Sequence, residues 1–390
     1  MSNLKDYIAV LESGSRQKGG AIGAGIPSLG AEHLNTSGKF NLAKDKLKFI
    51  SYDHYAQMKT GKIRKKDVLV VKDGATTGKV SYVDDDFPFD EVAINEHVFL
   101  LRPKDELLSK YLFYYLYSPN GQRLILTDFR GATVGGISRN FINIPIPLPL
   151  PEVQRKIVDA LDCASAFIEK RKEQIEKLDL LIKLQFIEMF GSVHKNKKYP
   201  YLPIKAFAKV TSGGTPDRNI EEYWKNGTIR WVKTTELKHN KLVDTDEKIT
   251  YKGLENSSAK IVPPGTILIA MYGQGKTRGM TGFLMVEATT NQACACILSS
   301  KNINQQYLWW YLILSYNELR GMAKGGNQPN LNGEMIKNFH VLCPPPTLQI
   351  QFVDFVQNVE ALKYLLQQSL IKLEQNYKSL MQKCFRGEVF

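Results

Sequence analysis

The sequence predicts an α+β protein. Two mixed α/β globular domains stand in tandem, each followed by a long helix, and the two helices form an antiparallel coiled coil of pseudo-twofold symmetry. Three observations lead there. Blocks of the first half recur in the second in the same order, each half carries a long run of apolar residues at heptad spacing, and a proline-rich segment precedes both runs.

The recurrence is direct. Tyr111-Leu-Phe-Tyr-Tyr-Leu116 returns as Tyr307-Leu-Trp-Trp-Tyr-Leu312, and Val153-Gln154-Arg-Lys-Ile157-Val158-Asp159 returns as Leu348-Gln349-Ile-Gln-Phe352-Val353-Asp354. The lead-ins Ile144–Pro151 and Phe339–Pro346 match as well, and the separation is 195 or 196 residues at each place. Near the starts, Leu11-Glu-Ser-Gly14 corresponds to Val210-Thr-Ser-Gly213. The 390 residues are thus twice the period. A duplication explains the length better than a set of unrelated domains.

In the front part of each half, short apolar runs bounded by glycine-bearing loops read as buried strands. They are Asp67–Val71 and Asn95–Leu101, with counterparts Thr266–Ala270 and Asn291–Ile297. Aromatic helices follow, beginning near Ser109 and Asn304.

The back parts read as helices of roughly 38 residues, about 57 Å at 1.5 Å per residue. The first has a seam at Ile157, Leu161, Ala164, Ile168, Ile175, Leu178, Ile182 and Met189, with Arg171 and Gln185 in register. The second continues it at Phe352, Val356, Val359, Lys363, Leu366, Leu370, Leu373, Tyr377, Leu380 and Cys384. Prolines stand at the helix starts, and Gly191 and Gly387 follow the ends. A solitary helix with such a seam would aggregate, so the two are expected to pair with each other. The boundaries follow: a first front domain 1–150, a helix 151–190, a linker 191–201, a second front domain 202–345, a helix 346–386 and a tail 387–390.

Composition narrows the function. Lys+Arg number 52 against 39 Asp+Glu, a net charge of +13, with 43% hydrophobic residues. That fits a folded chain with a polyanionic partner. The charge is uneven: residues 1–195 carry +4 and residues 196–390 carry +9. No stretch of about 18 apolar residues exists, and the start lacks the apolar core of a signal peptide, so a cytoplasmic protein without a membrane partner is expected. The five cysteines are scattered, and none of the six histidines has ligand spacing with another His or Cys. A disulfide scaffold and a zinc site are therefore not expected.

Two segments resemble enzyme motifs. Ala270–Thr277 approximates a phosphate-binding P-loop, but two glycines and strand-like residues follow where a helix should open. Pro216-Asp217 with Glu236-Leu-Lys238 mimics the carboxylates and lysine of a Mg²⁺-dependent nuclease, and the first half offers no equivalent. The Asn/Asp-Pro-Pro-aromatic turn of adenine methyltransferases does not occur. A single-chain nuclease or NTPase, and a coiled-coil adaptor that does not bind DNA, remain the rival readings.

What remains is binding. Several loops mix cationic, amide and hydroxyl groups with glycine: Lys72, Thr76, Thr77 and Lys79; Arg130 and Thr133; Tyr272, Gln274, Lys276, Thr277 and Arg278; Lys324, Asn327 and Gln328. Lys and Arg suit phosphates, and Asn, Gln and Arg suit base edges, so these residues are the candidate DNA contacts.

The whole plan resembles the specificity subunit of type I restriction–modification systems. The most specific segments are Gly213-Gly-Thr-Pro216 through Tyr223-Trp224, Gly227-Thr-Ile-Arg-Trp231-Val232 with Leu237, the lead-ins to Gln154 and Gln349, and Phe385-Arg-Gly387. The first front domain keeps Ser13-Gly14 but lacks the Thr-Pro and Tyr-Trp signature. The resemblance implies two target recognition domains, each reading one half of a bipartite site in double-stranded DNA, and helices that set the spacer. It also implies docking of two methylation subunits, which use S-adenosylmethionine, and of restriction subunits, which use ATP and Mg²⁺. The specificity subunit itself would have no catalysis and no cofactor. A charge of +13 is modest for gripping DNA unaided, so the isolated chain is expected to bind weakly.

Overall fold

The computed structural model describes residues 2–131, 135–192, 196, 198–273, 275–323 and 329–390. Among them no helix is long and apolar enough to cross a membrane. The chain packs into two compact units, Met1–Glu173 with Gln367–Phe390, and Gln174–Leu366. Each unit therefore owns one front domain and a stretch of both long helices, and the division follows packing instead of chain order.

The first unit is built on a four-stranded antiparallel sheet in the order Ile8–Ser13, Val98–Pro103, Val68–Val71, Val80–Tyr82. Val68–Val71 and the Val98–Leu101 part of its neighbour are apolar at every position because both faces are covered. Val68, Val70, Phe99 and Leu101 pack under the aromatic helix Ser109–Tyr117. Leu69, Val71, Val98 and Leu100 face a second cluster with Leu29 and Ile94. Leu29 and Ile94 belong to a three-stranded sheet in the order Phe49–Ile50, Ile26–Leu29, Ala93–Ile94, whose last two strands run parallel.

The second unit repeats this arrangement with one strand more. Its five-stranded sheet runs Val210–Ser212, Cys294–Ile297, Ile267–Ala270, Thr281–Leu284, Asn240–Leu242, and its three-stranded sheet Glu247–Ile249, Ile229–Val232, Thr289–Thr290. Ile267, Ile269, Ala295 and Ile297 face the aromatic helix Gln305–Leu314. Leu268, Ala270, Cys294 and Cys296 face the smaller sheet. Burial of both cysteines in that layer lifts their thiols, Cys296 to about 11. The strands expected from Asn95 and Asn291 start three residues later, at Val98 and Cys294. In both units a turn precedes the strand, with the Val98 and Cys294 amides donating to Asn95 and Asn291 carbonyls at 3.3 and 3.2 Å.

The long helices span Pro151–Phe190 and Pro346–Arg386. In the first unit Ile157, Val158 and Leu161 share a core with Met381, Cys384 and Phe385. In the second, Leu178, Ile182, Phe186 and Phe190 share one with Phe352, Val353, Val356 and Val359. Within each unit the start of one helix thus lies against the end of the other. Of the seam positions, Ile157, Leu161, Ile168, Leu178, Ile182, Phe352, Val356 and Val359 are buried, and Ile175, Leu366, Leu370 and Leu373 are half-buried. Ion pairs flank the seam, Lys172 to Glu374 at 3.5 Å in the first unit and Lys363 to Asp179 at 2.5 Å in the second.

One device joins front domain to helix in both units. Gln154, fully buried, accepts from the Leu108 amide at 2.9 Å and donates to the Glu106 and Pro149 carbonyls at 2.8 and 2.9 Å. Gln349 accepts from the Asn304 amide at 2.8 Å and donates to the Pro344 carbonyl at 2.7 Å. Beside them, Tyr111 and Tyr307 hydroxyls donate to the Pro147 and Leu342 carbonyls at 2.9 and 3.0 Å. The proline-rich lead-ins cannot enter a full sheet ladder, so side chains satisfy their carbonyls.

Candidate nucleic-acid interface

Parallel strands end on the same side, and in each unit that end carries polar groups. In the first unit Leu29 and Ile94 are register partners, and the chain leaves them into Gly30–Leu34 and Asn95–His97. Phe49–Ile50 runs the opposite way and brings Lys48 to this rim, paired with Glu32 at 2.5 Å. Burial works against the Glu32 carboxylate, yet Lys48 and His33 hold it below the usual range. Arg16 stands 3.8 Å from Glu96, and His97 Nδ1 lies 2.5 Å from Asp73.

The loop between Val68–Val71 and Val80–Tyr82 is fixed to the same rim by its backbone. The Lys72 amide donates to the His97 carbonyl, and the Ile137 amide to the Lys72 carbonyl, both at 2.8 Å. Gly74 donates to Gly135 at 3.1 Å, and Arg130 and Gly136 exchange two bonds of 2.9 Å. Lys72, Thr76, Thr77 and Arg130 are thereby gathered. Lys72 leans over the Phe99 ring, the Thr77 hydroxyl donates to Gly74, and Arg130 is 76% exposed beside Asp128. Lys79 sits apart, lining a cleft with Tyr117, Gln122, Glu169 and Lys172. Thr133 lies outside the described residues.

The second unit uses the same backbone frame with other side chains. Met271 donates to Ala293 at 2.8 Å, Leu331 to Met271 at 3.0 Å and Ala270 to Met280 at 2.9 Å. The first-unit counterparts are Lys72 to His97, Ile137 to Lys72 and Val71 to Lys79. Arg320 ties the loop down through the Arg278 and Gly275 carbonyls at 2.9 and 2.8 Å, and the Tyr316 hydroxyl donates to Lys276 at 2.6 Å. Tyr272, Lys276 and Thr277 reach the surface or its edge, whereas Arg278 turns inward and donates to the Pro329 carbonyl. Gln274, Lys324, Asn327 and Gln328 lie outside the described residues.

Sequence reasoning missed the rest of the second rim. Lys233 follows Ile229–Val232, and Asn291 and Gln292 follow its parallel neighbour Thr289–Thr290. Thr215 donates to Gln292. Glu247, at the start of the antiparallel neighbour, accepts from Lys233 at 2.8 Å and from Arg218. Burial would raise the Glu247 carboxyl, but those two cations outweigh it and hold it low. The Arg218 guanidinium lies 3.7 Å from the Trp224 ring centre and 4.7 Å from that of Trp231. Both indoles are themselves anchored, Trp224 to the Asp217 carbonyl at 3.0 Å and Trp231 to the Gly214 carbonyl at 2.9 Å. In the first unit Arg16, Lys48, Glu96 and His97 were missed likewise. Their signal is weak because the strands that deliver them, Ala93–Ile94 and Thr289–Thr290, are two residues long and show no period.

The enzyme-like segments have other uses here. The P-loop-like stretch joins Ile267–Ala270 to Thr281–Leu284, which pair antiparallel, so no helix opens at its end. Glu236 accepts from the backbone amides of Lys233 and Asp246 at 2.8 and 3.1 Å, and Asp217 from Asn219 at 2.9 Å. These carboxylates cap turns.

Comparison with known proteins agrees with the duplicated plan. The family described as Type I restriction modification DNA specificity domain matches twice, at residues 16–178 and 196–375. The Methanocaldococcus jannaschii type I restriction enzyme MjaIX specificity subunit is 25% identical over 310 residues, covering 74% of this chain and 70% of that one. The Escherichia coli EcoR124I/EcoR124II specificity subunit is 23% identical over 306 residues, covering 76% and 74%. Among solved structures, one from a study of complex assembly and conformational transition of the type I R-M system superposes with a TM-score of 0.67 at 18% identity, covering 100% of this chain and 97% of that chain. The type I restriction–modification S subunit from M. genitalium gives 0.53 at 14%, covering 98% and 95%. These two likenesses concern the fold alone. With both halves matched by its domain, this chain belongs to the type I restriction–modification DNA specificity family.

Proposed function

We propose that this type I specificity subunit reads a bipartite site in double-stranded DNA, residues 1–150 recognising one half and residues 202–345 the other. The helices 151–190 and 346–386, the first followed by a linker 191–201 and the second by a tail 387–390, form one antiparallel coiled coil of pseudo-twofold symmetry that sets the spacer. They also dock two methylation subunits, and restriction subunits complete the assembly in the cytoplasm. S-adenosylmethionine, ATP and Mg²⁺ belong to those partners, and this chain contributes recognition without catalysis. Lys72, Thr76, Thr77, Arg130, Tyr272, Lys276 and Thr277 serve as DNA contacts on the two rims.

One observation carries the reading. The two units hold equivalent loops by the same three backbone hydrogen bonds and fill them with different side chains, Lys72–Lys79 in one and Tyr272–Arg278 in the other. A common frame with divergent side chains is what reading two unlike half-sites requires, since base edges are read by side chains and register is held by the backbone. The test is methylation mapping of DNA from cells carrying the chain with its methylation subunits. A bipartite target is expected, and exchanging residues 202–345 for another recognition domain alters one half only. A change in both halves, or a continuous target, refutes it.

A further inference from the structure

We propose that Arg218 is a base-reading arginine that recognises a guanine in the half-site of the second unit. The inference rests on the half-site reading above and names a residue that determines its specificity.

The guanidinium is held on three sides. Its carbon lies 3.7 Å from the Trp224 ring centre and 4.7 Å from that of Trp231, the two rings themselves meeting edge to face with centres 5.0 Å apart, and one terminal nitrogen donates to Glu247. Glu247 is in turn fixed by Lys233. A plane clamped this way has little rotamer freedom left to lose on binding. The side chain nevertheless remains 49% exposed. Its Nε and second terminal nitrogen have no partner among the described residues, so part of the donor fork is free toward solvent. A fixed arginine fork with free donors is the group that grips guanine O6 and N7 in the major groove.

Its position fits the task. Arg218 stands at the rim formed by Lys233, Glu247, Thr215 and Gln292, where the parallel strands end. Packing alone would be served as well by an aliphatic residue against the indole pair and needs no exposed donors. The first unit has Ser28 in the strand position of Trp231 and no tryptophan at all, so the device belongs to one half-site. Glu247 also sharpens the choice, because a carboxylate next to the fork repels phosphate and favours a neutral base edge over the backbone.

The experiment compares wild type, Arg218→Lys and Arg218→Met, each expressed with the methylation subunits, by methylation mapping and by competition among single-base variants of the mapped site. Lysine keeps the charge and loses the fork. Methionine keeps the packing on the indoles and loses every donor. Both are expected to relax one G·C position in one half-site by about 5- to 150-fold, the discrimination of a bidentate arginine–guanine pair at tenfold per 1.4 kcal/mol. The other half-site keeps its sequence. An unchanged preference at every position with both variants overturns the assignment of Arg218, as does a uniform loss of methylation without relaxed preference. A wild-type complex with no bipartite target overturns the half-site reading instead, so the two failures are distinguishable.

Discussion

The buried glutamines at the helix starts are the features most open to a quantitative test. Replacing Gln154 by Leu keeps the volume roughly and removes three hydrogen bonds, from the Leu108 amide and to the Glu106 and Pro149 carbonyls. Both glutamine side chains are buried, Gln154 being 0% exposed and Gln349 3%, and a leucine in their place offers the backbone groups no partner. At about 1 kcal/mol net per bond the loss is about 3 kcal/mol for Gln154→Leu, with unsatisfied buried groups pushing it higher. Gln349→Leu removes two described bonds, and its loss is about 2 kcal/mol. For units near 200 residues one kcal/mol moves the midpoint by roughly 2–4 °C, which gives about 6–12 °C and 4–8 °C. Scanning calorimetry of the full chain measures the shifts, and hydrogen exchange assigns each to its unit through the Leu108 and Asn304 amides. A Gln154→Leu midpoint within about 1 °C of wild type would refute the reasoning. So would a larger loss for Gln349→Leu than for Gln154→Leu.

Two further outcomes follow from the packing and the titration of single residues. A Cβ on Gly14 or Gly213 would fall onto the carbonyl oxygen of Ile94 or Thr290, which is backbone and cannot swing aside. Gly14→Ala and Gly213→Ala are each expected to lower the unfolding free energy from urea titration by roughly 1–3 kcal/mol or more, while Gly23→Ala, with open space around it, changes nothing measurable. Burial holds the His239 imidazole below its ordinary pKa, and Nδ1 accepts from the Thr281 amide at 3.3 Å, a bond that requires the neutral ring. The unfolded state then binds the proton more readily, so the contribution of His239 is full above about pH 6.5 and declines as pH falls below it. Denaturant midpoints of the second unit are expected to drop between about pH 7 and 5.5, and His239→Asn, which suits the positive φ there, should remove that slope. An identical slope in the variant would count against the assignment.

How much of this was legible before the structure depends on what each residue answers to. The seam of the long helices shows in sequence because Ile157, Leu161, Leu178, Ile182, Phe352 and Val356 answer to a repeat that runs through many turns. Its middle positions Ile175, Leu366, Leu370 and Leu373 are only half-buried. At the ends, aromatic helices add cover, as where Phe190 meets Tyr307 at 5.5 Å and Phe385 meets Tyr111 at 5.3 Å. The central strands were legible for the same reason, since a run covered on both faces is apolar at every position. The rims were legible in part. Lys72, Thr77, Arg130 and Lys276 stand out by composition, but Arg278 resembles them in sequence and turns inward to the Pro329 carbonyl. Arg218, Lys233, Glu96 and His97 depend on which loops the parallel strands bring together, and strands of two residues leave no pattern to read.

The placement of the bonds shared by the two halves explains how one scaffold reads different sequences. Where a front domain meets its long helices, the shared bonds come from side chains: Gln154 and Gln349, Tyr111 and Tyr307. A substitution there removes a partner from a buried backbone group and costs stability. At the rims the shared bonds run from backbone to backbone and do not depend on which side chains the loops carry. Exposed rim residues are therefore replaceable within about 0.5 kcal/mol of stability, while each replacement changes the donors and acceptors offered to DNA. Arg278 and Arg320 mark the boundary of that freedom, because their guanidinium groups hold loop carbonyls in the second unit and have become part of the frame. In the proposed reading, target specificity drifts at Tyr272, Lys276 and Arg218, which hold none of the shared backbone bonds. At Arg320 it cannot drift, since losing that fork releases the loop that carries the reading residues.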